Sequence, residues 1–160
     1  MIPRWLEHRI PPPVIDLSCA GLMWWLSTLV PAAQLWPRGG AWWVWVLAAG
    51  LALAGGAVSL AGLREFARAR TTFNPLAPDR ASALVTTGIY RFTRNPMYLG
   101  MLLVLIGWGL WLGNAAALVV GPLLAVLSLN ALQIRPEERV MQARFGEVYT
   151  RYRARVRRWL

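Results

Sequence analysis

Two polar clusters stand at the margins of a long uncharged stretch in this 160-residue chain. The first, Gly88-Ile89-Tyr90-Arg91-Phe92-Thr93-Arg94-Asn95-Pro96-Met97-Tyr98-Leu99-Gly100, runs directly into that stretch; the second, Arg135-Pro136-Glu137-Glu138, follows its end. Arginine can hold a carboxylate or phosphate by paired hydrogen bonds, and a carboxylate can balance a cation or take a proton. Charges beside hydrocarbon are costly unless they are paired or used. Each piece also has a plain structural account. Arginines at a helix end set topology, Asn-Pro starts a helix, and a glutamate pair in a first turn favours the helix dipole.

Other chemistry is thin. His8 and Cys19 are each the single residue of their kind, so no internal disulfide can form, and no metal site assembles from one His, one Cys and scattered carboxylates. Cys19, in uncharged surroundings, reads as a small apolar filler. The Gly107 and Gly109 pair lies in an apolar run without the strand-turn-helix context of a dinucleotide fingerprint, so packing is its expected use.

The elements that must position these clusters follow from where charge is missing. Uncharged runs cover residues 17–37, 39–63 and 95–134, together 86 residues. A small soluble domain has no interior for them, whereas a bilayer core of about 30 Å takes about 20 apolar residues as one helix. A transmembrane β-barrel would alternate apolar and polar residues instead. The expected fold is all-α and polytopic, a single membrane domain over residues 1–160. Its four transmembrane helices are expected at about 14–30, 41–63, 97–112 and 115–134.

Pro11-Pro12-Pro13 and Pro31 bound the first span, for which a cleaved signal peptide is the rival reading. Gly39-Gly40 opens the second, whose Gly50, Ala54, Gly55, Gly56, Ser59 and Gly62 suit close helix packing. The 40-residue run exceeds one span and divides at the turn pair Gly113-Asn114. The shortness of the helix before it suggests that its start meets polar structure, and Pro122 is expected to kink the helix after it.

All 17 basic residues are arginine, against 7 acidic, a formal charge of +10. Nucleic acid is one partner such a charge could serve, but position decides otherwise: 16 arginines fall before the first run, between the second and third, or after residue 134. This positive-inside pattern puts both termini and the loop 64–96 in the cytoplasm and makes the lipid bilayer, with its anionic head groups, the default partner. Trp36, Trp42, Trp43, Trp45, Trp108 and Trp111 fall at the opposite ends, at the head-group level, while Trp24 and Trp25 read as packing residues. A bacterial inner membrane fits, although exclusive use of arginine reflects codon composition as readily.

After Pro136 an apolar stripe at Met141, Phe145, Val148, Tyr152, Val156 and Trp159 predicts an amphipathic cytoplasmic helix over 137–160, whose arginines can lie against lipid phosphates. The hairpin of the last two spans carries both polar clusters to one membrane face, about one helix pair apart.

The two blocks, G-I-Y-R-F-T-R-N-P-M-Y-L-G and then E-E-R-V-M-Q-A-R-F-G-E-V-Y-T-R-Y, resemble the isoprenylcysteine carboxyl methyltransferase and phospholipid methyltransferase superfamily of integral membrane enzymes. Its pattern is G-x-Y-x-x-x-R-H-P-x-Y-x-G, then E-E and F-G-x-x-Y-x-x-Y. The likeness covers residues 88 to about 156. It implies a methyl donor, S-adenosylmethionine, with S-adenosylhomocysteine as product. By position Arg94, Asn95, Pro96, Tyr98, Leu99, Gly100, Glu137 and Glu138 would bind the donor, and Glu138, Arg135 and Arg91 would act on the acceptor. Asn95 departs from the histidine usual in the isoprenylcysteine branch. It keeps hydrogen bonding but loses a titratable ring.

The acceptor stays open at this level. A carboxyl is already ionised and needs arginine for orientation, whereas an amine or thiol must lose a proton, for which Glu138 is the candidate base. A non-catalytic membrane protein that recruits anionic lipid or a partner chain through its arginines is the alternative. A related reductase-like enzyme with a nicotinamide cofactor is a third reading, disfavoured by the short chain.

Overall fold

A computed structural model describes residues 9–71 and 83–160; Arg4, His8 and Arg80 lie outside the described residues. Among these the regular structure is helical: α1 (Pro12–Leu29), α2 (Trp42–Arg68), α3 (Pro96–Leu112), α4 (Ala115–Leu129) and α5 (Arg135–Arg155). Short 3-10 turns lie at Pro31–Ala33 and Gly88–Arg91, and a π-helical turn, Asn130–Ile134, joins α4 to α5. Among the described residues two helices are long and apolar enough to cross a membrane: α2, and the continuous helix that begins at Ala115. In the latter only the uncharged part, 115–134, has that composition. Helix α3 is apolar but has 17 residues, and α1 has 18 and carries Asp16.

Helix α3 is the central element. It packs against α2 on one side and against α1 and α4 on the other. The outer faces are apolar, with Leu17 of α1, Leu53 and Leu60 of α2, and Val119, Leu123 and Leu127 of α4 all exposed. Such a surface is stable only against hydrocarbon or another apolar partner. The contact between α2 and α3 is made by small residues, as expected, but by a subset of them. A Cβ at Gly55 or Gly100 would collide with the backbone of the other, one at Gly100 would also strike Ser59, and one at Gly62 would press on Pro96 at 3.0 Å. Gly50 and Gly56 face open space.

At the end away from the polar clusters, the last carbonyls of α3 need donors that a helix cannot supply itself. The segment after α1 supplies them. Gln34 Nε2 donates to the Leu112 carbonyl at 3.0 Å, Trp36 Nε1 to Leu110 at 3.0 Å and the Gly39 amide to Trp111 at 2.9 Å. Gly113 ends α3 with φ 66°, and buried Asn114 caps α4 by accepting from the Ala117 amide at 3.1 Å. Trp24, Trp108 and Trp111 stack at this end, Trp45 meets Trp111 edge-on, and Arg38 lies over Trp24. Trp24 and Trp25 are both exposed on one side; Trp24 packs through its ring stack with Trp108 and Trp111, and among the described residues no ring contact joins Trp25 to it.

Helix α4 runs through Pro122 without a break, and the departure from α geometry comes later. Pro136 has no amide hydrogen and its ring crowds the carbonyl four residues back. Widening to a π turn over 130–134 accommodates it and lets the Arg135 amide donate to the Asn130 carbonyl. The tail differs from a helix over 137–160. Gly146, at φ 51° and ψ −123°, interrupts α5, and the chain becomes extended at Val156. Only glycine tolerates that backbone cheaply. The kink changes the phase of the stripe: Tyr149, Tyr152 and Val156 are buried with Met141, Phe145 and Leu84 around them, while Val148 is exposed.

The glycines that permit the central crossing should be sensitive to one methyl group. Gly100→Ala is expected to cost about 1–3 kcal/mol by overpacking. Gly56→Ala, on the open face of the same pair, should be neutral or slightly stabilising, within about 1 kcal/mol. Thermal unfolding in detergent compares them; equal midpoints for both variants would contradict the assigned packing.

Candidate functional site

The elbow before α3 is built first by α2. Glu65, buried although it sits one turn from the helix end, accepts from Thr87 Oγ1 at 2.6 Å and pairs with Arg68 at 2.6 Å. Gly88, at φ 57°, lies so close to Glu65 that a side chain would collide with the carboxyl group. The 3-10 turn that follows presents Tyr90, whose carbonyl accepts from Tyr152 Oη at 2.8 Å. Elbow and α5 are thus joined before any charged site residue is counted.

Glu138 is the junction. Arg94 Nη2 donates to its Oε1 at 2.6 Å; Arg158 Nη2 donates to its Oε2 at 2.6 Å and Arg158 Nε to its Oε1 at 3.0 Å. Arg94 also donates through Nη1 to the carbonyls of Arg153 at 3.1 Å and Val156 at 2.8 Å, and its amide donates to Arg157 at 3.1 Å. Its Nε is buried without a partner. Asn95 precedes α3 and donates through Nδ2 to the Arg158 carbonyl at 2.9 Å, while Thr93 Oγ1 donates to the same carbonyl at 3.3 Å. Glu137, next to Glu138, points inward and accepts from Tyr98 Oη.

The two adjacent carboxyl groups are therefore in opposite electrostatic settings. Burial pushes the Glu137 carboxyl up to about 7; the Tyr98 hydrogen bond opposes that shift and the Glu138 charge adds to it. Burial also acts to raise Glu138, but hydrogen bonds and charge from Arg158 and Arg94 outweigh it and hold this carboxyl below its ordinary value. Glu138 is the ionised group of the pair and Glu137 the one that titrates near neutrality.

Other expected site residues divide. Arg135 is exposed and lines an open cleft of about 520 Å³ together with Glu138, Arg139, Gln142, Ala143, Arg153 and Arg158. Arg91 is exposed in the 3-10 turn and does not line it. Pro96 is buried against Gly62, Gly100 against Gly55 and Ser59, and Leu99 is half-buried. Pro96 and Gly100 thus act here through the approach of α2 to α3. Sequence reasoning passed over Glu65, Thr93 and Arg158. An acid at the end of an apolar helix, where the dipole disfavours it, was a signal for Glu65. Arg158 had none, since nothing local separates it from the arginines beside it.

A profile of the phospholipid methyltransferase family matches residues 43–148. The chain belongs to this family of membrane methyltransferases. It is 47% identical over 64 residues to an uncharacterised protein of Haemophilus influenzae, a match that covers 40% of this chain and all of that protein. No solved structure matches.

The raised carboxyl makes a pH prediction. Between its ordinary value of 4.5 and about 7 Glu137 holds a proton in the folded chain that the unfolded chain has released. Its contribution to stability is fully present below that ordinary value and is lost as pH rises through about 7. Glu137→Gln should flatten the fall in thermal midpoint across this interval, measured by circular dichroism in detergent. A variant with the wild-type slope would contradict the assignment.

Proposed function

We propose that the protein is a four-span integral membrane enzyme that transfers a methyl group from S-adenosylmethionine to a hydrophobic, lipid-like acceptor. The observation that carries this is the convergence of the two separated sequence blocks on Glu138 beside an arginine-lined cleft. The residues present suit such a donor: an ionised carboxylate for cationic groups, and arginines for a carboxylate. Arg94 Nε is, besides, a buried donor without a partner. Arg94, Asn95, Tyr98, Glu137 and Glu138 would hold it, with Pro96, Leu99 and Gly100 shaping the helix start beneath. When bound, S-adenosylmethionine supplies a methyl group activated by a sulfonium.

The chain's own tasks are then alignment, charge balance and exclusion of water. Glu138, doubly paired and ionised, suits charge balance more than proton removal. Glu137 titrates in the range useful to a general base, so an amine or thiol acceptor would draw on it by way of Tyr98. A carboxyl acceptor would draw on Arg135 and Arg91 for orientation. The apolar outer faces of α1 to α4 support entry of the acceptor from the membrane. The arginines around the cleft support a cytoplasmic placement of this end and of both termini, next to anionic head groups, in a bacterial inner membrane.

Membranes containing the protein, incubated with methyl-labelled S-adenosylmethionine, should transfer label to an extractable lipid-like product. Glu138→Gln and Arg94→Ala should each reduce that transfer by about 10²-fold or more, the loss that small misplacements at a reacting centre bring. Wild-type turnover in both would remove the site assignment, and absence of label in the wild type would remove the function.

A further inference from the structure

The strap after α5 is the part of the site that neither sequence block contains, and Arg158 lies beyond the residues that match the family. Its guanidinium takes both oxygens of Glu138 and reaches Asn130 Oδ1 at 3.4 Å, while its carbonyl accepts from Asn95 and Thr93. Arg158 therefore touches the elbow, the π turn and α5 at once. Trp159, packed against the main core, holds the strap in place. Neighbouring Arg157 and Arg155 are exposed and make no such contacts through their guanidinium groups to the elbow.

We propose that Arg158 is a positioning residue of the methyl-donor site: it clamps Glu138 and Asn95 in one arrangement, so that the donor site is complete only when the C-terminal strap is docked. The proposal rests on the donor-binding reading given above. Arg94 alone approaches one oxygen of Glu138, which leaves the carboxylate free to rotate about its remaining torsion. The fork from Arg158 fixes both oxygens, and a planar guanidinium does this where an ammonium cannot. Three carbonyls of the strap, at Val156, Arg157 and Arg158, also satisfy donors of Arg94 and Asn95 that would otherwise turn to water.

The charged and titratable groups around Glu138 are Arg94 of the elbow, Arg158 of the strap, Arg135, Arg139 and Glu137 on its own helix segment, and Tyr149 and Arg153 beyond the kink. Loss of Arg158 removes one of the two cations in direct contact, so Glu138 must protonate at a higher pH than in the wild type.

The test is calorimetric titration of S-adenosylhomocysteine into the full chain in detergent, repeated from neutrality down through the carboxylate range in which Glu138 protonates. Arg158→Ala should weaken binding about 10²-fold, the cost of a small misplacement, and move the acid limb of the binding profile to higher pH. Arg158→Lys should recover part of the affinity, and Arg155→Ala should match the wild type. In a Glu138→Gln background, Arg158→Ala should add little, because the two act as one unit. Hydrogen exchange at the Arg94 amide gives a readout independent of the donor: it should accelerate in Arg158→Ala and not in Arg155→Ala. Wild-type affinity and pH profile in Arg158→Ala, additive losses in the double variant, or an Arg94 amide still protected would overturn the proposal. If the wild type binds no S-adenosylhomocysteine, the donor-binding reading fails, and hydrogen exchange alone decides whether Arg158 positions the elbow. If Arg158→Ala does not fold, Arg158→Gln takes its place in the pH profile, and Arg158→Lys, which keeps the charge and loses the fork, takes its place in the affinity, double-variant and hydrogen-exchange comparisons, where a smaller loss in the same direction is expected and wild-type behaviour overturns the proposal.

Discussion

A carboxylate withdrawn from water must be given cations, and the way Glu138 meets this requirement organises the polar end of the molecule. Its two arginines come from sites 64 residues apart in the chain, Arg94 in the elbow and Arg158 in the strap. Removing one partner of a buried pair is costly because a charge is left behind, and this bears more on Arg94, which is nearly buried, than on Arg158, which is a third exposed. The elbow, the start of α5 and the end of the chain are therefore held in one arrangement. Glu137, which turns the other way and meets a tyrosine instead of a cation, is under no such obligation and keeps its proton to about 7.

That polar end can be assembled only because the apolar part is rigid where it matters. Glycines at the crossing of α2 and α3 bring two backbones into contact, and this fixes the height at which Pro96 and Asn95 begin α3. At the far end, donors from the segment 34–39 and from Asn114 satisfy carbonyls that would otherwise be exposed to hydrocarbon or to poorly ordered water. Helix α3 is thus anchored at both termini by side chains and loops that are not its own. The difference in direction between the adjacent Glu137 and Glu138 would have no chemical meaning if the helix that carries Tyr98 could slide.

Several features were open to direct reading. Long uncharged runs bounded by arginine marked helices, and Gly113-Asn114 marked the hairpin, because each is a local consequence of solvent preference or backbone geometry. The two polar blocks were also visible, since charge beside hydrocarbon stands out against its surroundings. The tail was not. Its apolar stripe had helical spacing, but Gly146 resets the phase, and the contacts of Tyr152 with Tyr90 and of Arg158 with Glu138 join residues far apart in the chain. Arginines that read as one group able to lie against lipid phosphates prove to differ: Arg155 is exposed and Arg158 reaches Glu138.

What the amino-acid order determined alone is the partition of the chain into apolar helices and a basic face, together with the identity of the residues able to do chemistry. These depend on side-chain type and on periods of a few residues. Which carboxylate is ionised, which glycine is needed for contact, and which of eight arginines after residue 134 reaches the elbow were decided only by the tertiary structure. Each of those depends on distance through space, and a Coulomb or steric interaction has no regard for separation along the chain.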